Sequence, residues 1–489
     1  MENREAVLVL DFGTSGIRAS LVDVKNGKIL ISSVIKNQWI RPEYGFFEMD
    51  ADLLWENAVD AVKETVGKAA GRFRVISICF SFFGDSLIPA DRSGRPLRNM
   101  IMAFDTRAQE EAAKLERTVG AKRFLEITGS RCLSMLVCSK IMWLRNHEPE
   151  TYQKAEYFFN IQEFVLTKLG FGIHTDYTLA VRKALFDIRE KKWSEEIAGG
   201  IETTISRLGG KVHESTFLLG ETEWFGPFRL PYKIPVVLGA HDSECGFIGL
   251  GPGEDELANV SGTYEMVGRF VPADRELTIR PPAELGCGAD KRSMILHGSS
   301  IAGSYIDWYR KELCRRPEDM FQEIEEKLIY DGRSRLYFLA DNDRRTYTLH
   351  GLNTSTKEHQ IYQAVIESIT FSIKEAIEEI EQTAGRSYPG LRCGGGGSSS
   401  DKWLQLKADL LQKGVRRVEN PEASAVGAAM IGAVGVGLYG DFSEASVQMV
   451  RTSRYFEPNR EISEIYQKNY ETYRSYMKVI KENFYENAH

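Results

Sequence analysis

The sequence predicts an α/β fold divided into two domains. Its 489 residues exceed what one ordinary hydrophobic core holds, and a hydrophobic content of 43% indicates globular packing throughout. Apolar strands alternate with amphipathic helices from the first residues onward. A strand, Gly-Thr turn, strand pattern near the start returns in the middle of the chain, which favours two similar domains, 1–250 and 251–489.

The first element is a β-hairpin whose turn carries the run DFGTSG, from Asp11 to Gly16. Apolar residues before it predict a buried strand, the glycines permit a tight turn, and an alternating strand follows. Backbone N–H groups and hydroxyls of Gly13, Thr14 and Ser15 can surround a phosphate at close range. Asp11 would repel that phosphate unless a divalent cation lay between them. The hairpin therefore predicts a site for a magnesium nucleotide.

The elements that follow continue the alternation of strand and helix. The apolar spacing predicts a helix over 51–69, a buried strand over 74–82 and mainly helical chain over 108–146. Glycines and a proline over 249–253 then mark the boundary between the domains.

Asp242 is the strongest single candidate for a catalytic residue. It stands where the apolar strand over 234–239 opens into a loop, the location at which α/β sheets place catalytic side chains. A carboxylate there could accept the proton of a substrate hydroxyl as that oxygen attacks a γ-phosphate. The alternative is an aspartate that caps a helix.

A second Gly-Thr hairpin is predicted over 257–267, in the sequence LANVSGTYEMV. Its candidate phosphate contacts are Ser261, Gly262 and Thr263. Two similar domains that each offered such a hairpin would enclose a nucleotide phosphate tail between them. Two unrelated glycine turns are the alternative.

A glycine run follows a short strand and opens a helix over 403–411, in the sequence CGGGGSSS at 393–400. Four successive glycines carry a high cost in backbone entropy, and they let a flat or anionic ligand lie against bare main chain at a helix N-terminus. The candidates for that contact are Gly395, Gly396, Gly397 and Ser398. A flexible surface loop is the alternative.

Three further helices are predicted in the second half. Residues 361–384 follow the 3.6-residue period and end at Gly385, and 465–484 carry tyrosines and lysines at helical spacing. The segment from Glu422 to Ala429 begins a helix so poor in large side chains that another group must approach it closely. Packing of a second helix could account for that composition alone.

Side chains for a polyhydroxylated ligand stand near other strand ends. Gly84 and Asp85 follow the strand over 74–82, and Asp105 lies further on. An aspartate can accept paired hydrogen bonds from vicinal hydroxyls, so these residues and Asp242 are candidates for substrate binding. A turn-forming Asp85 and a salt bridge from Asp105 to Arg107 are the alternatives.

Composition excludes several classes of function. A net charge of −7 disfavours nucleic acid as a general partner. The first residues lack the pattern of a secretory signal and no apolar run is long enough for a membrane span, so a cytoplasmic protein is expected. Seven cysteines, an odd number without C-x-x-C spacing, disfavour a disulfide framework and structural zinc.

Taken in order, five segments form a recognisable series. They are DFGTSGIRAS, IMAFDTRA, VVLGAHDSECGFIGLG, NVSGTYEM, and CGGGGSSSDKWLQLKADLL with PEASAVGAAMIGAVGVG. Across essentially the whole chain this series resembles the FGGY family of carbohydrate kinases. The resemblance implies two actin-like, ribonuclease H-like ATPase domains flanking a central cleft. It also implies ATP and Mg²⁺ as cofactors and phosphorylation of a sugar hydroxyl.

The resemblance also assigns roles to individual residues. Asp242 would be the general base and Asp11 would lie near the metal. The phosphates would be held from the first domain by Gly13, Thr14, Ser15 and Arg18, and from the second by Ser261, Gly262 and Thr263. The adenosine would be held by Gly395, Gly396, Gly397 and Ser398.

The sugar segment departs from the family pattern. Xylulokinase-like members read Ser-Gly-Gln-Met-His-Gly where this chain reads SFFGDS, so Gly84-Asp85 replaces Met-His. The expected substrate is a ketopentose such as xylulose, with another ketose, an aldonate or a polyol as alternatives. A non-kinase actin-like ATPase, or a sugar sensor with a regulatory or chaperone-like role, is the alternative function. Dimers are common in the family, so a homodimer is compatible with the resemblance.

Overall fold

The fold was taken from a computed structural model that describes residues 4–262, 264–275, 277–300, 302–314, 318–341, 346–480 and 482, without the side chains of 318–321 and 341. Contacts divide the chain into two compact units. The first comprises Met1–Gly251, Phe270–Ile295 and Glu422–Arg451, and the second Pro252–Arg269, Leu296–Pro421 and Thr452–His489. The units are discontinuous in sequence, and the division into domains 1–250 and 251–489 stays a prediction.

Strands and helices alternate along the described residues. The strands are β1 (Arg4–Phe12), β2 (Gly16–Asp23), β3 (Ile29–Lys36), β4 (Glu48–Met49), β5 (Phe73–Phe82), β6 (Ile88–Ala90), β7 (Met100–Ile101), β8 (Tyr157–Phe159), β9 (His174–Asp176), β10 (Phe186–Asp187), β11 (Lys192–Trp193), β12 (Lys211–His213), β13 (Leu218–Phe225), β14 (Phe228–Val237), β15 (Ala240–His241), β16 (Glu256–Ser261), β17 (Glu265–Val271), β18 (Glu284–Cys287), β19 (Ser293–Ser300), β20 (Tyr337–Asp341), β21 (Thr346–His350), β22 (Gly390–Gly394), β23 (Gly414–Val418) and β24 (Thr452–Phe456). The α-helices are α1 (Ala51–Ala69), α2 (Gln109–Val119), α3 (Ala121–Thr128), α4 (Val137–His147), α5 (Pro149–Lys154), α6 (Ile161–Lys168), α7 (Tyr177–Arg182), α8 (Glu195–Gly200), α9 (Asp242–Leu250), α10 (Ala302–Trp308), α11 (Glu318–Glu326), α12 (Glu358–Ala384), α13 (Asp401–Leu411), α14 (Ala423–Gly435), α15 (Phe442–Met449) and α16 (Arg460–Ile480).

The first unit is built on a mixed sheet in the order β13-β14-β5-β1-β2-β3, with β15 paired to β5. Both faces of its central strand β1 are buried. Leu8 and Leu10 belong to the core that includes residues of α1, whereas Val7, on the opposite face, lies beside Gly432 of α14. A strand covered on both faces has no solvent side, which explains why β1 is a continuous apolar run.

The second unit repeats the strand order of the first. Six consecutive strands of its seven-stranded sheet follow the order β19-β17-β16-β22-β23-β24. β16 runs antiparallel to β17 and parallel to β22, and β22 runs parallel to β23, which is antiparallel to β24. In the first unit β1 has the same relations to β2 and β5, and β5 runs parallel to β14, which is antiparallel to β13. The repeated Gly-Thr hairpin thus belongs to a repeated sheet topology.

Most helix boundaries agree with the sequence pattern. The helix predicted over 51–69 is α1, where the Asp50 side chain accepts hydrogen bonds from the first turn. α12 starts three residues before its predicted position, at Glu358, and Gly385 ends it in the left-handed conformation. α16 covers Arg460–Ile480; residues 481, 483 and 484 of its predicted range lie outside the described residues.

The small-residue helix α14 packs directly on α9. A Cβ atom on Gly427 would lie 1.7 Å from the carbonyl oxygen of Cys245, and one on Gly249 would lie 1.9 Å from that of Ala423. Glycine is therefore required on both helices, since real Cβ atoms do not approach backbone so closely. The composition of this helix is explained by close helix packing, the alternative noted for it above.

We expect Gly427→Ala to destabilise the protein markedly. The added methyl group must separate two helices whose backbones are in contact, and overpacking of this kind costs about 1–3 kcal/mol, occasionally more. The midpoint of urea unfolding measures the loss. Gly67→Ala is the matched control, because Gly67 lies within α1 with nothing within 4 Å of its would-be Cβ. Equal stability of the two variants would contradict the helix contact.

All seven cysteines are free thiols, and six of them are buried. Among the described residues, no helix combines the length and apolar character needed to cross a membrane.

Candidate active site

The candidate site lies at the carboxyl ends of the central strands in the first unit. Asp11 of β1 is paired in register with Ser81 of β5, and β15 runs parallel to β5 so that Ala240 also pairs with Ser81. Asp242 follows β15 directly as the first residue of α9. Parallel strands bring their carboxyl ends to one edge of a sheet, so two residues from distant sequence positions meet there.

The turn of the first hairpin is held by Asn37 beyond β3. Gly13 N donates to Gly16 O at 3.1 Å, and Asn37 Nδ2 donates to Gly13 O at 2.9 Å. Ser15 is exposed and Thr14 partly exposed. The turn thus presents hydroxyls and main chain to solvent, as a phosphate loop requires.

Arg18 lies beside the hairpin, in register with Asp11 on the neighbouring strand. Its Nη1 is 2.5 Å from Oε1 of Glu422, the residue preceding α14. The contact joins the hairpin to a distant segment of the same unit. A role of Arg18 toward a nucleotide stays a prediction.

The carboxyl group of Asp11 is suited to a divalent cation. Its pKa is raised to about 6, mainly because the carboxyl group is buried and also because of the negative charges of Asp242 and Glu422. A hydrogen bond that Ser81 donates at 2.7 Å has the opposite effect and lowers the pKa. A dication would reverse the rise in pKa and favour the ionised carboxylate. No group of three metal-binding side chains occurs among the described residues. Phosphate oxygens and water would complete the shell, an arrangement that Mg²⁺ favours.

Asp242 has the exposure and environment of a proton acceptor. Its side chain is 43% exposed, and the residue before it, His241, occupies the N-cap position of α9, with no side-chain capping bond. The alternative of a helix-capping aspartate is therefore not what the structure shows. Desolvation and Glu244 raise the pKa of Asp242 above its usual range, while His241 opposes that rise. A base whose pKa moves toward neutrality matches its task better.

His241 is a residue that the sequence reasoning missed. Its Nε2 lies 3.3 Å from Asp242 Oδ1, and its Nδ1 lies 2.7 Å from Glu244 Oε2. Although burial disfavours the imidazolium, Glu244 and Asp242 raise the pKa of His241 to about 9. The signal was present in the sequence as a histidine three residues before a glutamate at a strand end.

Asp85 is paired with an arginine that the sequence did not indicate. Arg182 of α7 donates from Nε and Nη2 to its two carboxylate oxygens, at 3.0 and 2.8 Å, and also contacts Glu284 at 2.8 Å. The buried ammonium group of Lys140 donates to the carbonyl oxygens of Asp85 and Met102. Asp85 itself has a left-handed φ of 58°. Its part in substrate binding stays a prediction.

Asp105 forms the salt bridge to Arg107 that was considered as the alternative to substrate binding. Its carboxylate accepts hydrogen bonds from Phe47 N, at 2.7 Å, and from Arg107 N, Nε and Nη2 at 2.8–2.9 Å. The side chain is fully buried, and Arg107 also contacts Glu48. The carboxylate thus holds the surrounding backbone in place. No contact among the described residues supports a role in sugar binding, and that role stays a prediction.

The second hairpin is held by a backbone hydrogen bond and by a buried lysine. Gly262 N donates to Tyr264 O at 3.0 Å, and Thr263 lies outside the described residues. The buried ammonium group of Lys407 donates to Ser261 Oγ at 2.8 Å and to Asn259 Oδ1 at 2.7 Å. This contact was also missed from sequence. It fixes Ser261 beneath the turn, and contact of the hairpin with phosphate stays a prediction.

The glycine run is an ordered turn that packs against β16. Gly395 has φ 88°, and a Cβ there would lie 2.3 Å from Ser261 O, while one on Gly397 would lie 2.8 Å from Ser261 Cβ. Gly396 is exposed and has nothing within 4 Å of its would-be Cβ. Ser398 Oγ donates to Gly395 O at 2.7 Å. The run thus offers bare backbone to a ligand at Gly396.

Both halves of the chain match models of known protein families. The model of the N-terminal domain of the FGGY family of carbohydrate kinases matches residues 6–249, and that of the C-terminal domain matches 258–436. Xylulose kinase of Bacillus subtilis (strain 168) is 27% identical over 488 residues, covering 96% of each chain. L-fuculokinase of Escherichia coli (strain K12) is 25% identical over 469 residues, covering 94% of this chain and 98% of the relative.

A solved structure has the same fold over almost its whole length. Plasmodium falciparum glycerol kinase with ADP superimposes with a TM-score of 0.85 at 20% identity, covering 97% of this chain and 98% of the other. At that level of identity the likeness supports the fold. The relatives are named for different acceptors, so they do not agree on one substrate.

Proposed function

The chain belongs to the FGGY family of carbohydrate kinases and phosphorylates a sugar hydroxyl with ATP, and from this premise we propose that its acceptor is a ketopentose such as xylulose. The predicted fold class, two actin-like α/β domains, is confirmed by the solved relatives. The observation that carries the catalytic assignment is the half-exposed carboxyl of Asp242 at the strand edge that also bears Asp11.

In this mechanism Asp242 is the general base. Its carboxylate accepts the proton of the acceptor hydroxyl, which raises the nucleophilicity of that oxygen as it attacks the γ-phosphorus. The imidazolium of His241 lies 3.3 Å from the same carboxylate and forms an ion pair with it. Because phosphoryl transfer depends mainly on positioning and charge neutralisation, the base supplies about 10²–10⁴-fold of the acceleration.

The nucleotide half of the proposal rests on the two hairpins and the glycine run. Gly13, Thr14 and Ser15 present amides and hydroxyls to the phosphates, and exposed Gly396 presents bare backbone to adenosine. Asp11 would hold Mg²⁺, which when bound neutralises charge on the phosphates. The other candidates, Arg18, Ser261, Gly262, Thr263, Gly395, Gly397 and Ser398, are part of this proposal.

The choice of a ketopentose rests on the relatives and not on the pocket. Several of them are named xylulose kinases. In this chain Gly84 and Asp85 stand where xylulokinase-like members have Met-His, and Arg182 occupies both carboxylate oxygens of Asp85. A changed set of donors and acceptors can exclude one sugar by several orders of magnitude. Another ketose, an aldonate or a polyol is therefore the competing acceptor class.

A coupled assay of ADP release tests the proposal. We expect ADP release from ATP that depends on added sugar, with the highest kcat/KM for a ketopentose in a panel that also contains ketohexoses, aldonates and polyols. A higher kcat/KM for another class would reject the ketopentose. Sugar binding without ADP release would support a sensor or regulatory ATPase and reject the kinase. We further propose a cytoplasmic homodimer, and a monomer in light scattering would reject the dimer.

A further inference from the structure

The imidazole of His241 is held between two carboxylates. Nδ1 lies 2.7 Å from Glu244 Oε2 and 2.6 Å from Ser243 Oγ, which in turn donates to the same glutamate oxygen at 2.8 Å. Nε2 lies 3.3 Å from Asp242 Oδ1. Both ring nitrogens face negative groups, and only the imidazolium has a donor at each nitrogen.

The backbone of His241 is fixed by a second set of contacts. Its N–H donates to Thr178 Oγ1 at 2.8 Å, and that hydroxyl donates to Asp176 Oδ2 at 2.6 Å. Asp176 is the N-cap of α7, the short helix that also carries Arg182 to Asp85. Helix α7 thus fixes the backbone of His241 and also carries the arginine that pairs with Asp85.

Gly84 provides the space in which the imidazole lies. A Cβ on Gly84 would lie 2.7 Å from His241 Nε2, 2.9 Å from Cδ2 and 3.1 Å from Arg182 Cγ. The φ of Gly84 is not in the left-handed region, unlike those of many other glycines in the chain. Glycine is therefore required at position 84 because a side chain would not fit, and not because the backbone has an unusual φ.

We infer that His241 is a positioning residue for catalysis: its imidazolium, anchored by Glu244 and accommodated by Gly84, fixes the carboxylate of Asp242 for the acceptor hydroxyl. The inference rests on the proposed role of Asp242 as the base. It explains why this chain has no side chain at Gly84 in the segment that departs from the family pattern. Gly84 acts on the reaction through the histidine.

The charges around the pair determine how it responds to pH. Asp242 experiences the negative charges of Glu244, Asp85 and Asp11, which the charge of His241 and a hydrogen bond with the backbone of Ser243 oppose. His241 experiences burial and the positive charge of Arg182, which both disfavour its charged form. Since its pKa is raised to about 9, the imidazolium is present below that pH and is lost above it.

Glu244→Gln tests the charge relation while nearly preserving side-chain shape. Without the Glu244 carboxylate the imidazolium should lose its proton nearer the ordinary histidine pKa of about 6.5. We expect the alkaline limb of the kcat profile to move down by one pH unit or more, and kcat at pH 8 to fall about 10- to 30-fold as the protonated fraction of His241 falls. An alkaline limb that stays in place would overturn the inference. His147→Gln is the control, since His147 is half-exposed and lies 3.6 Å from Glu111, another glutamate, on the separate helices α4 and α2.

A double-mutant cycle tests the role of Gly84. We expect Gly84→Ala to lower kcat in the parent protein but to have little further effect in a His241→Asn background, where the smaller side chain leaves room for the methyl group. Additive effects would show that Gly84 does not act through His241 and would overturn that part of the inference. Thermal melting of each variant identifies losses of kcat that come from unfolding.

The inference and the proposed function can fail separately. Substantial turnover by Asp242→Asn would remove the base itself, whatever the histidine variants do. An inactive Asp242→Asn together with an unchanged pH profile for Glu244→Gln would leave the base in place and reject His241 as its positioning residue.

Discussion

Asp242→Asn should lower kcat for sugar phosphorylation by about 10²–10⁴-fold, the range that general-base catalysis contributes. The amide cannot accept the proton of the acceptor hydroxyl, but it has nearly the same shape and keeps an oxygen at the position that lies 3.3 Å from His241 Nε2 in the parent protein. The local structure should therefore persist. Affinity for ATP should change little, since the candidate phosphate contacts are on the hairpins and the glycine run.

The measurement combines steady-state ADP release with a direct titration of nucleotide binding. Asp60→Asn is the matched control, because Asp60 is exposed on α1 and should retain full activity. Substantial residual turnover by Asp242→Asn would remove this residue from the role of base. A large loss of ATP affinity in the same variant would instead place its carboxylate in the nucleotide site.

Local patterns made the main elements of the fold predictable. A buried strand, glycine turn and second strand can be recognised within a dozen residues, and both predicted hairpins are present as β1–β2 and β16–β17. Helix α1 has its predicted bounds because an aspartate caps its first turn and apolar residues repeat at helical spacing. These features depend on neighbours in sequence, which a single chain displays directly.

The partners of the candidate residues were not predictable in the same way. Arg182 reaches Asp85 across 97 positions of sequence, and Lys407 reaches Ser261 across 146. Such pairs arise only when the sheet brings separate segments together, and an isolated arginine or lysine in a helix carries no mark of its partner. Asp105 is the opposite case. It lies two residues from Arg107 in the sequence, so their salt bridge could be anticipated, and the structure contains it.

The conformation of the sugar segment follows from these long-range pairs. Asp85 has a positive φ that non-glycine residues adopt rarely. The bidentate contact from Arg182 holds its side chain, and Lys140 holds its carbonyl oxygen. Two helices, α7 and α4, thus act together to keep one residue in an unusual backbone position near the candidate base.

Asp85→Ala should therefore cause two losses together. Arg182 would lose its bidentate partner and keep the ion pair with Glu284 while its guanidinium remains nearly buried, and this loss costs up to about 3–5 kcal/mol of unfolding free energy. The sugar segment would also lose the contact that holds it, so the KM for sugar should rise or activity should disappear, while ATP affinity stays near that of the parent. Urea unfolding, sugar kinetics and nucleotide titration measure the three quantities.

A paired variant separates the structural role of Asp85 from a direct contact with sugar. In Asp85→Ala/Arg182→Leu the nearly buried guanidinium that lost its bidentate partner is removed as well, so part of the stability should return, because apolar replacement of a buried ion pair is often neutral or stabilising. If the carboxylate itself binds sugar hydroxyls, the KM of this stabilised variant stays high. A normal KM would show that Asp85 only supports the segment and would reject it as a sugar-binding residue.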